Sequence, residues 1–464
     1  MFWPGRLVLS SPTCLAVSLR WTKSKRIMSP VPPPVAVRGM QEWQPELFST
    51  TALLPGLAVP ALHLARARRL AGKLVLRIPN LVPVQDMKGV EGESDGSERK
   101  LLLLCPVSVR QWTDLEPGLQ SSLAELQVSP QHFSLTSFPL TLENWTPHQA
   151  LKAILPTEQE GVSGFSIIGH ILHLNLKPHL LQYKAVIGAA LLGLKQVRTV
   201  VNKINSIDSE FRQFSMELLA GEAEYEVTVK ESGCSFQLDF SRVYWNPRLA
   251  TEHERVIALV TATPAPVLFD ACAGVGPFSV PCAKHCRVYS NDLNPESFRW
   301  LQVNAKGNKK AAKNMECFNQ DAREFIRGVV KDKLVEIWTE NSQKVDAVHI
   351  VMNLPALAIT FLDVFRGLFR DRSELAAGAV APLLPQVHVY TFSKAEQPEQ
   401  DVGENCELYL GCRPAQLNIS RVRNVAPSKE MMRASFLVPR ELLFDQPTGI
   451  KRPGSPVAES DIKR

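Results

Sequence analysis

From residue 267 onward, short apolar runs alternate with longer amphipathic stretches. Runs at 267–269, 287–291, 315–318, 346–352 and 387–392 have the length and composition of buried strands. Residues 295–307, opened by Asn294-Pro295, and residues 356–369 have helical spacing. Two later runs, 420–424 and 431–438, read as an antiparallel pair. Strand and helix in alternation predict an α/β domain with a parallel sheet, closed here by a terminal hairpin.

The first half of the chain has a different rhythm. Residues 61–71 predict a basic helix carrying Arg66, Arg68 and Arg69, and 73–78 and 100–109 read as strands either side of a Gly/Ser/Glu loop. Residues 166–176 alternate as one strand, 185–194 read as a helix and 197–204 as a Val-rich strand. Residues 224–231 and 235–239 predict a hairpin turning at Ser232-Gly233. The expected organisation is a basic leader over 1–40, α+β domains over 41–144 and 145–262, an α/β domain over 263–443, and a polar tail over 444–464.

Composition narrows the class. The 464 residues carry a net charge of +6, which mildly favours a polyanionic partner, and the basic helix could touch phosphates. The first 41 residues hold no Asp or Glu but several Arg and Lys, a composition that suits mitochondrial import. A secretory signal or a plain basic tail are its rivals. Met28 and Met40 could start products without this leader, so a second, non-mitochondrial pool is expected. The nine cysteines form no Cys-x-x-Cys pair, and His170 and His173 would face opposite ways on a strand, so no metal site is expected. No apolar run is long enough to span a bilayer.

The chemistry concentrates at residues 267–292. A strand ends in Asp270, Gly274 and Gly276 bend the chain, Pro277 suits the first turn of a helix, and a second strand ends at Asp292. Ser279 stands where a dinucleotide fingerprint needs its third glycine, which disfavours a pyrophosphate. Two acids flanking the glycines suit a nucleoside with hydroxyls and a cationic tail, and S-adenosylmethionine has both. Asp292 would accept from its ribose and Asp321 from its adenine amino group. Asn353-Leu354-Pro355, after another strand, resembles the Asn/Asp-Pro-Pro-aromatic loop of methyltransferases that act on ring or amide nitrogens. Upstream, Thr251 reads as a helix cap with Glu252 in its first turn, so capping alone would account for that acid.

Six motifs then occur in order: Asn202-Lys-Ile-Asn-Ser-Ile-Asp208, Val243-Tyr-Trp-Asn-Pro-Arg-Leu-Ala-Thr-Glu-His253, Asp270 with Ala273-Gly-Val-Gly-Pro-Phe278, Asn291-Asp-Leu-Asn-Pro-Glu-Ser297, Asn353-Leu-Pro355 and Arg423-Asn-Val-Ala-Pro-Ser-Lys-Glu430. Over roughly residues 145–439 the chain resembles the eukaryotic and archaeal tRNA (guanine(37)-N1)-methyltransferases. Cys272 departs from the family where an aromatic is frequent, and Leu357 where a Lys is common.

The resemblance implies a class I, Rossmann-like methyltransferase domain that uses S-adenosylmethionine to methylate N1 of the guanine 3′ to the anticodon. It implies Glu252 as general base, Arg212 stabilising charge on O6, Tyr244 stacking on the base or lining the cofactor, and Asn353 positioning the base. His253, Asp292, Leu293, Asp321, Ala322 and Asn353, with Asp270, Gly274, Gly276 and Pro355, would line the cofactor. It further implies a monomer whose basic first domain grips tRNA. The expected product maintains the reading frame and precedes wybutosine in tRNA-Phe, with pools in the mitochondrial matrix, nucleus and cytoplasm. The rivals are the aminocarboxypropyl transferase of wybutosine synthesis and a non-catalytic RNA-binding protein on the same fold.

Overall fold

The computed structural model describes residues 28–87, 98–157, 161–162, 164–204, 215–339, 344–375, 383–426 and 428–444. These residues form two compact units, one of 225–444 and one of 28–204 with 215–224.

The later unit is built on a seven-stranded sheet. Its strands are β1 (Pro266–Asp270), β2 (Arg287–Asn291), β3 (Met315–Phe318), β4 (Ala347–Met352), β5 (Gln386–Ser393), β6 (Asn418–Ala426) and β7 (Lys429–Leu437). They lie in the order β3-β2-β1-β4-β5-β7-β6. Strands β1 to β5 run parallel, and β7 runs antiparallel to both β5 and β6. The chain leaves β1 in one direction along the sheet and returns to β4 on its other side. The strand order therefore switches between β1 and β4, and in open α/β sheets ligands bind at the carboxyl ends beside such a switch.

The two faces of this sheet differ. Val267, Phe269, Ile350, Val387, Val389, Met432 and Ala434 point to one side and join Phe325, Leu334, Phe361 and Phe365 in the main apolar core. Burying each such side chain stabilises the unit by about 1.5–3 kcal/mol. By the two-residue alternation of a strand, the other face presents Asp270, Ser290, His349, His388, Tyr390, Arg433 and Ser435, all buried. Helices Ala250–Val260 and Ser279–Cys282 lie on that polar face, where Glu252 and Ser279 bond to it.

A hairpin of Glu226–Glu231 and Cys234–Asp239 precedes the sheet. Its turn residues Ser232 and Gly233 both have positive φ, as a two-residue hairpin turn requires. Asn304, buried on helix Pro295–Gly307, exchanges hydrogen bonds of 2.7 and 3.1 Å with the Gln237 backbone and donates to the Val275 carbonyl at 3.0 Å. One carboxamide thus ties the hairpin and the glycine turn to the helix.

The earlier unit holds two four-stranded sheets. The first is antiparallel, in the order Val84–Asp86, Arg99–Leu103, Thr50–Pro60, Phe133–Leu140. The second runs Phe165–Ile168, Ile171–Leu174, Thr199–Ile204, Ser215–Gly221, with helix Lys184–Leu192 joining its parallel central pair. These are α+β layers, and the basic helix is present at Leu64–Ala71.

Several sequence expectations are corrected. Residues 166–176 are two strands rather than one, because Gly169 takes φ +58° and turns the chain at His170. Residues 73–78 are not a strand; a 3-10 turn, Gly72–Leu74, is followed by an isolated bridge from Val75 to Leu104. The helix expected over 356–369 is a 3-10 segment, Ala358–Phe365. Thr251 is not a cap: the turn Pro247–Leu249, capped by the Asn246 side chain, runs straight into helix Ala250–Val260. The divide between the units falls between Glu224 and Tyr225, inside the stretch 145–262 that the sequence suggested as one domain. Among the described residues, no helix is long and apolar enough to cross a membrane.

Candidate active site

The carboxyl ends of β1, β2, β3 and β4 bring the expected cofactor residues to one edge. Asp270 ends β1 and is fully buried. Its Oδ2 accepts from Ser279 Oγ at 2.6 Å, while its Oδ1 is buried and finds no side-chain partner among the described residues. Burial pushes its carboxyl up to about 7, against the opposing pull of the Ser279 bond. Asp292, just past β2, accepts from the Gly274 amide at 2.8 Å and from the Asn294 amide at 3.0 Å. Burial also raises the Asp292 carboxyl. Asp321, past β3, caps helix Ala322–Phe325 by accepting from the Arg323 and Glu324 amides, and Ala322 is buried behind it. Burial, and after it the charges of Asp292, Asp270 and Asp321, push the Cys272 thiol up.

The two glycines serve different ends. Gly276 has φ +96°, and a Cβ there would lie 2.8 Å from Leu301 Cδ1 and Val280 Cγ2. Its hydrogen side chain lets the turn pack against helix Pro295–Gly307. Gly274 has φ +56°, yet a Cβ there would meet nothing within 4 Å. The space over Gly274 is open beside Asp292. Pro277 is not in the first turn of a helix as expected: it precedes Phe278, the N-cap of helix Ser279–Cys282, in a turn where the Val280 amide donates to the Gly276 carbonyl at 2.9 Å. Leu293, 48% exposed, stands next to Asp292 as an apolar surface at the same edge.

Asn353 follows β4, and β4 pairs with β1 so that Val351 faces Asp270. This puts the Asn353-Leu354-Pro355 loop beside the glycine turn. The Asn353 Oδ1 is buried and finds no partner among the described residues. The Pro355 carbonyl accepts from the Phe392 amide of β5 at 3.1 Å, tying the loop two residues beyond Tyr390.

Glu252 comes to the same edge from helix Ala250–Val260 and is buried. Its Oε1 accepts from the Tyr390 hydroxyl at 2.9 Å and from Arg433 Nη1 at 2.7 Å. Its Oε2 accepts from Arg255 Nη1 at 2.8 Å. His253 is buried beside it, with Nδ1 2.5 Å from Glu231 Oε1 and its ring edge-on to Phe278 at 4.8 Å. Phe278 in turn lies 6.1 Å from the Tyr390 ring. Tyr244 is 58% exposed, and its hydroxyl accepts from Asn246 at 3.1 Å. Arg423, on β6, shares this neighbourhood: burial, and after it the charge of Arg248, lowers its guanidinium, while Tyr244 opposes that shift. Among the described residues, neither arginine is paired with a carboxylate.

Glu252, His253, Asn353 and the three acid- and glycine-bearing turns therefore share one edge of a sheet. Arg212 lies outside the described residues. Sequence reasoning missed Tyr390, Arg433 and Arg255 as partners of Glu252. One signal was present: Arg433 is a lone cation inside the apolar run of β7.

This arrangement fits an S-adenosyl nucleoside. The open space above Gly274, the Asp292 carboxylate beside it and the unpartnered Asn353 oxygen supply a cradle, a hydroxyl acceptor and a free acceptor. Comparison with known proteins decides the family. Residues 227–376 match the model described as the TRM5/TYW2 methyltransferase domain, and residues 148–224 match the TYW2 N-terminal domain. The tRNA (guanine(37)-N(1))-methyltransferase of Drosophila pseudoobscura pseudoobscura is 45% identical over 89% of this chain and 91% of its own length. The chain belongs to the tRNA (guanine(37)-N(1))-methyltransferase family.

A second member of the tRNA (guanine(37)-N(1))-methyltransferase family, from Danio rerio, is 43% identical over 89% of this chain and 84% of its own. Among solved structures, one described as the complex structure of aTrm5 and tRNALeu shares the fold with a TM-score of 0.54. It is 21% identical and covers 84% of this chain and all of its own. The matched methyltransferase domain, residues 227–376, contains strands β1 to β4 of the later unit's sheet.

Proposed function

We infer that this chain transfers a methyl group from S-adenosylmethionine to N1 of guanine 37 in tRNA. The observation that carries the reading is the unpartnered Asn353 oxygen at the β1–β4 switch point, on the same edge as the buried Glu252 carboxylate. Bound there, the donor supplies an electrophilic methyl on a sulfonium. Asp292 holds the ribose hydroxyls, Gly274 leaves room for the nucleoside, and Leu293 and Ala322 flank the adenine with Asp321. Guanine N1 is protonated at neutral pH, so its lone pair is free only once a base takes that proton. Glu252 is that base. Asn353 accepts from the guanine edge and fixes N1 toward the methyl. Arg212 offsets the negative charge that builds on O6. Tyr244 offers an exposed ring for a base out of its stack.

Tyr244, Arg248 and Arg423 together form an aromatic and cationic surface suited to an anticodon stem-loop. The chain acts as a monomer. Its basic first residues direct it to the mitochondrial matrix, and products from Met28 or Met40 populate nucleus and cytoplasm.

The test is incubation of the full chain with methyl-labelled S-adenosylmethionine and transcripts bearing guanine or adenine at position 37, followed by nucleoside mapping. Label in N1-methylguanosine from the guanine transcript alone supports the reading. Label elsewhere, or in both transcripts equally, rejects it. The match of residues 148–224 to a TYW2 domain favours one second reading, aminocarboxypropyl transfer, which the mass of the modified nucleoside distinguishes.

A further inference from the structure

The two oxygens of Glu252 are held differently. Oε1 meets two donors that are themselves buried, the Tyr390 hydroxyl on β5 and the Arg433 guanidinium on β7. Both partners sit on regular strands of the polar sheet face, and Tyr390 is also packed against Phe278. Oε2 meets one donor, Arg255, whose side chain is 51% exposed and rides the same short helix three residues on. A buried donor on a strand has one position, whereas an exposed arginine at the end of four rotatable bonds has many. Oε1 therefore has both lone pairs engaged, whereas Oε2 has one engaged, by a donor free to leave, so Oε2 is the oxygen open to a proton.

We propose that Tyr390 and Arg433 are positioning residues that lock Oε1, that Oε2 is the atom that takes the guanine proton, and that Arg255 is a displaceable cover over it. This rests on Glu252 being the base. When the guanine enters, Arg255 swings into solvent and the N1–H donates to Oε2. As the N1–C bond forms, the N1 proton passes to Oε2 and the methyl–sulfur bond breaks with its electron pair left on sulfur. The Glu252 carboxyl then releases its proton to water, and Arg255 returns. Throughout, the charge of Arg433 stays on Oε1, so the carboxylate is aimed without its reactive oxygen being capped.

Four variants separate these roles: Tyr390→Phe, Arg433→Lys, Arg433→Met and Arg255→Met, with Glu252→Gln alongside. Single-turnover transfer is measured at saturating transcript and donor, and transcript affinity is measured separately without donor. Tyr390→Phe keeps the ring and removes one bond to Oε1; it slows transfer about tenfold or more while transcript affinity stays unchanged. Arg433→Met slows it further, and Arg433→Lys recovers part of that loss, which a purely steric role would not allow. Arg255→Met speeds transfer about threefold, because the competent state no longer competes with the cover. Full rates in Tyr390→Phe and Arg433→Lys, with Glu252→Gln slow, overturn this proposal alone. A full rate in Glu252→Gln removes the base assignment itself. A loss in Arg255→Met as deep as in Glu252→Gln also overturns the proposal, since the cover would then be a required partner. Urea midpoints identify any variant that has failed to fold, and Tyr390→Phe remains decisive if Arg433→Met does.

Discussion

The amide of Gly274 donates to Asp292 Oδ2 at 2.8 Å, joining the turn after β1 to the residue after β2. The contact uses one lone pair of a partly buried carboxylate. Asp292→Asn keeps the shape but turns one acceptor into a donor. It is expected to weaken binding of S-adenosylhomocysteine by about tenfold to a hundredfold, with little change in the urea midpoint. Isothermal titration checks this; unaltered affinity would mean that Asp292 only shapes the turn.

The two glycines of that turn should fail differently. Gly276→Ala brings a Cβ to 2.8 Å from Leu301 and Val280, at φ +96°, and is expected to cost about 1–3 kcal/mol of stability. Gly274→Ala meets no protein atom within 4 Å, so only its backbone conformation, roughly 1–2 kcal/mol, opposes folding. Its methyl projects into the open space of the cradle. The second variant should therefore fold and bind the nucleoside poorly, and the first should be the less stable. Denaturation and ligand titration together read both.

Stability should depend on pH through the polar face of the sheet. His349 Nδ1 lies 3.1 Å from His388 Nε2, and His388 Nδ1 lies 2.9 Å from Ser435 Oγ. Burial pushes His349 down to about 4, and burial with the charges of His349 and Arg433 pushes His388 down to about 3. The unfolded imidazoles titrate at about 6.5, so as pH falls below that value the unfolded chain binds protons the folded one refuses, and stability drops until about 3. Asp270 works the other way. Its carboxyl, raised from 3.8 to about 7 by burial, keeps a proton in the fold that the unfolded chain has lost, so stability falls as pH rises through that window. His388→Gln should flatten the acid limb and Asp270→Asn the limb approaching neutrality, both read as urea midpoints against pH.

Burial, and after it the charge of Arg248, lowers the Arg423 guanidinium, beside the exposed Tyr244 ring. Like charges crowded in this way suit a phosphate. Replacing either with Ala should weaken transcript binding and reduce the slope of log affinity against log salt by roughly one. A slope equal to that of the unaltered chain would remove the arginine from the RNA contact.

The legible parts of this chain were those written in local pattern. The parallel strands, the hairpin at Ser232-Gly233 and the acid–glycine–acid turn follow from runs, spacing and turn residues, and the structure places them as read. Where pattern was ambiguous, one residue decided: alternation continued through 166–176, and only the positive φ of Gly169 broke it. The cap assigned to Thr251 failed because Asn246 opens a 3-10 turn that feeds the helix, leaving no fresh terminus to cap. The partners of Glu252 were not legible. Tyr390 and Arg433 lie 138 and 181 positions along the chain, and their strands meet only once the sheet order is set.

That separation has a consequence for how the protein is made. The acid, glycine and Asn353 turns are all complete in the sequence by residue 355, but the guanidinium that bonds Glu252 belongs to the last strand of the sheet. A chain stopped before residue 429 would keep those turns but lose Met432, Ala434 and Phe436 from the main core along with Arg433. A late stop codon would therefore undo the fold that presents the turns as well as a bond to Glu252.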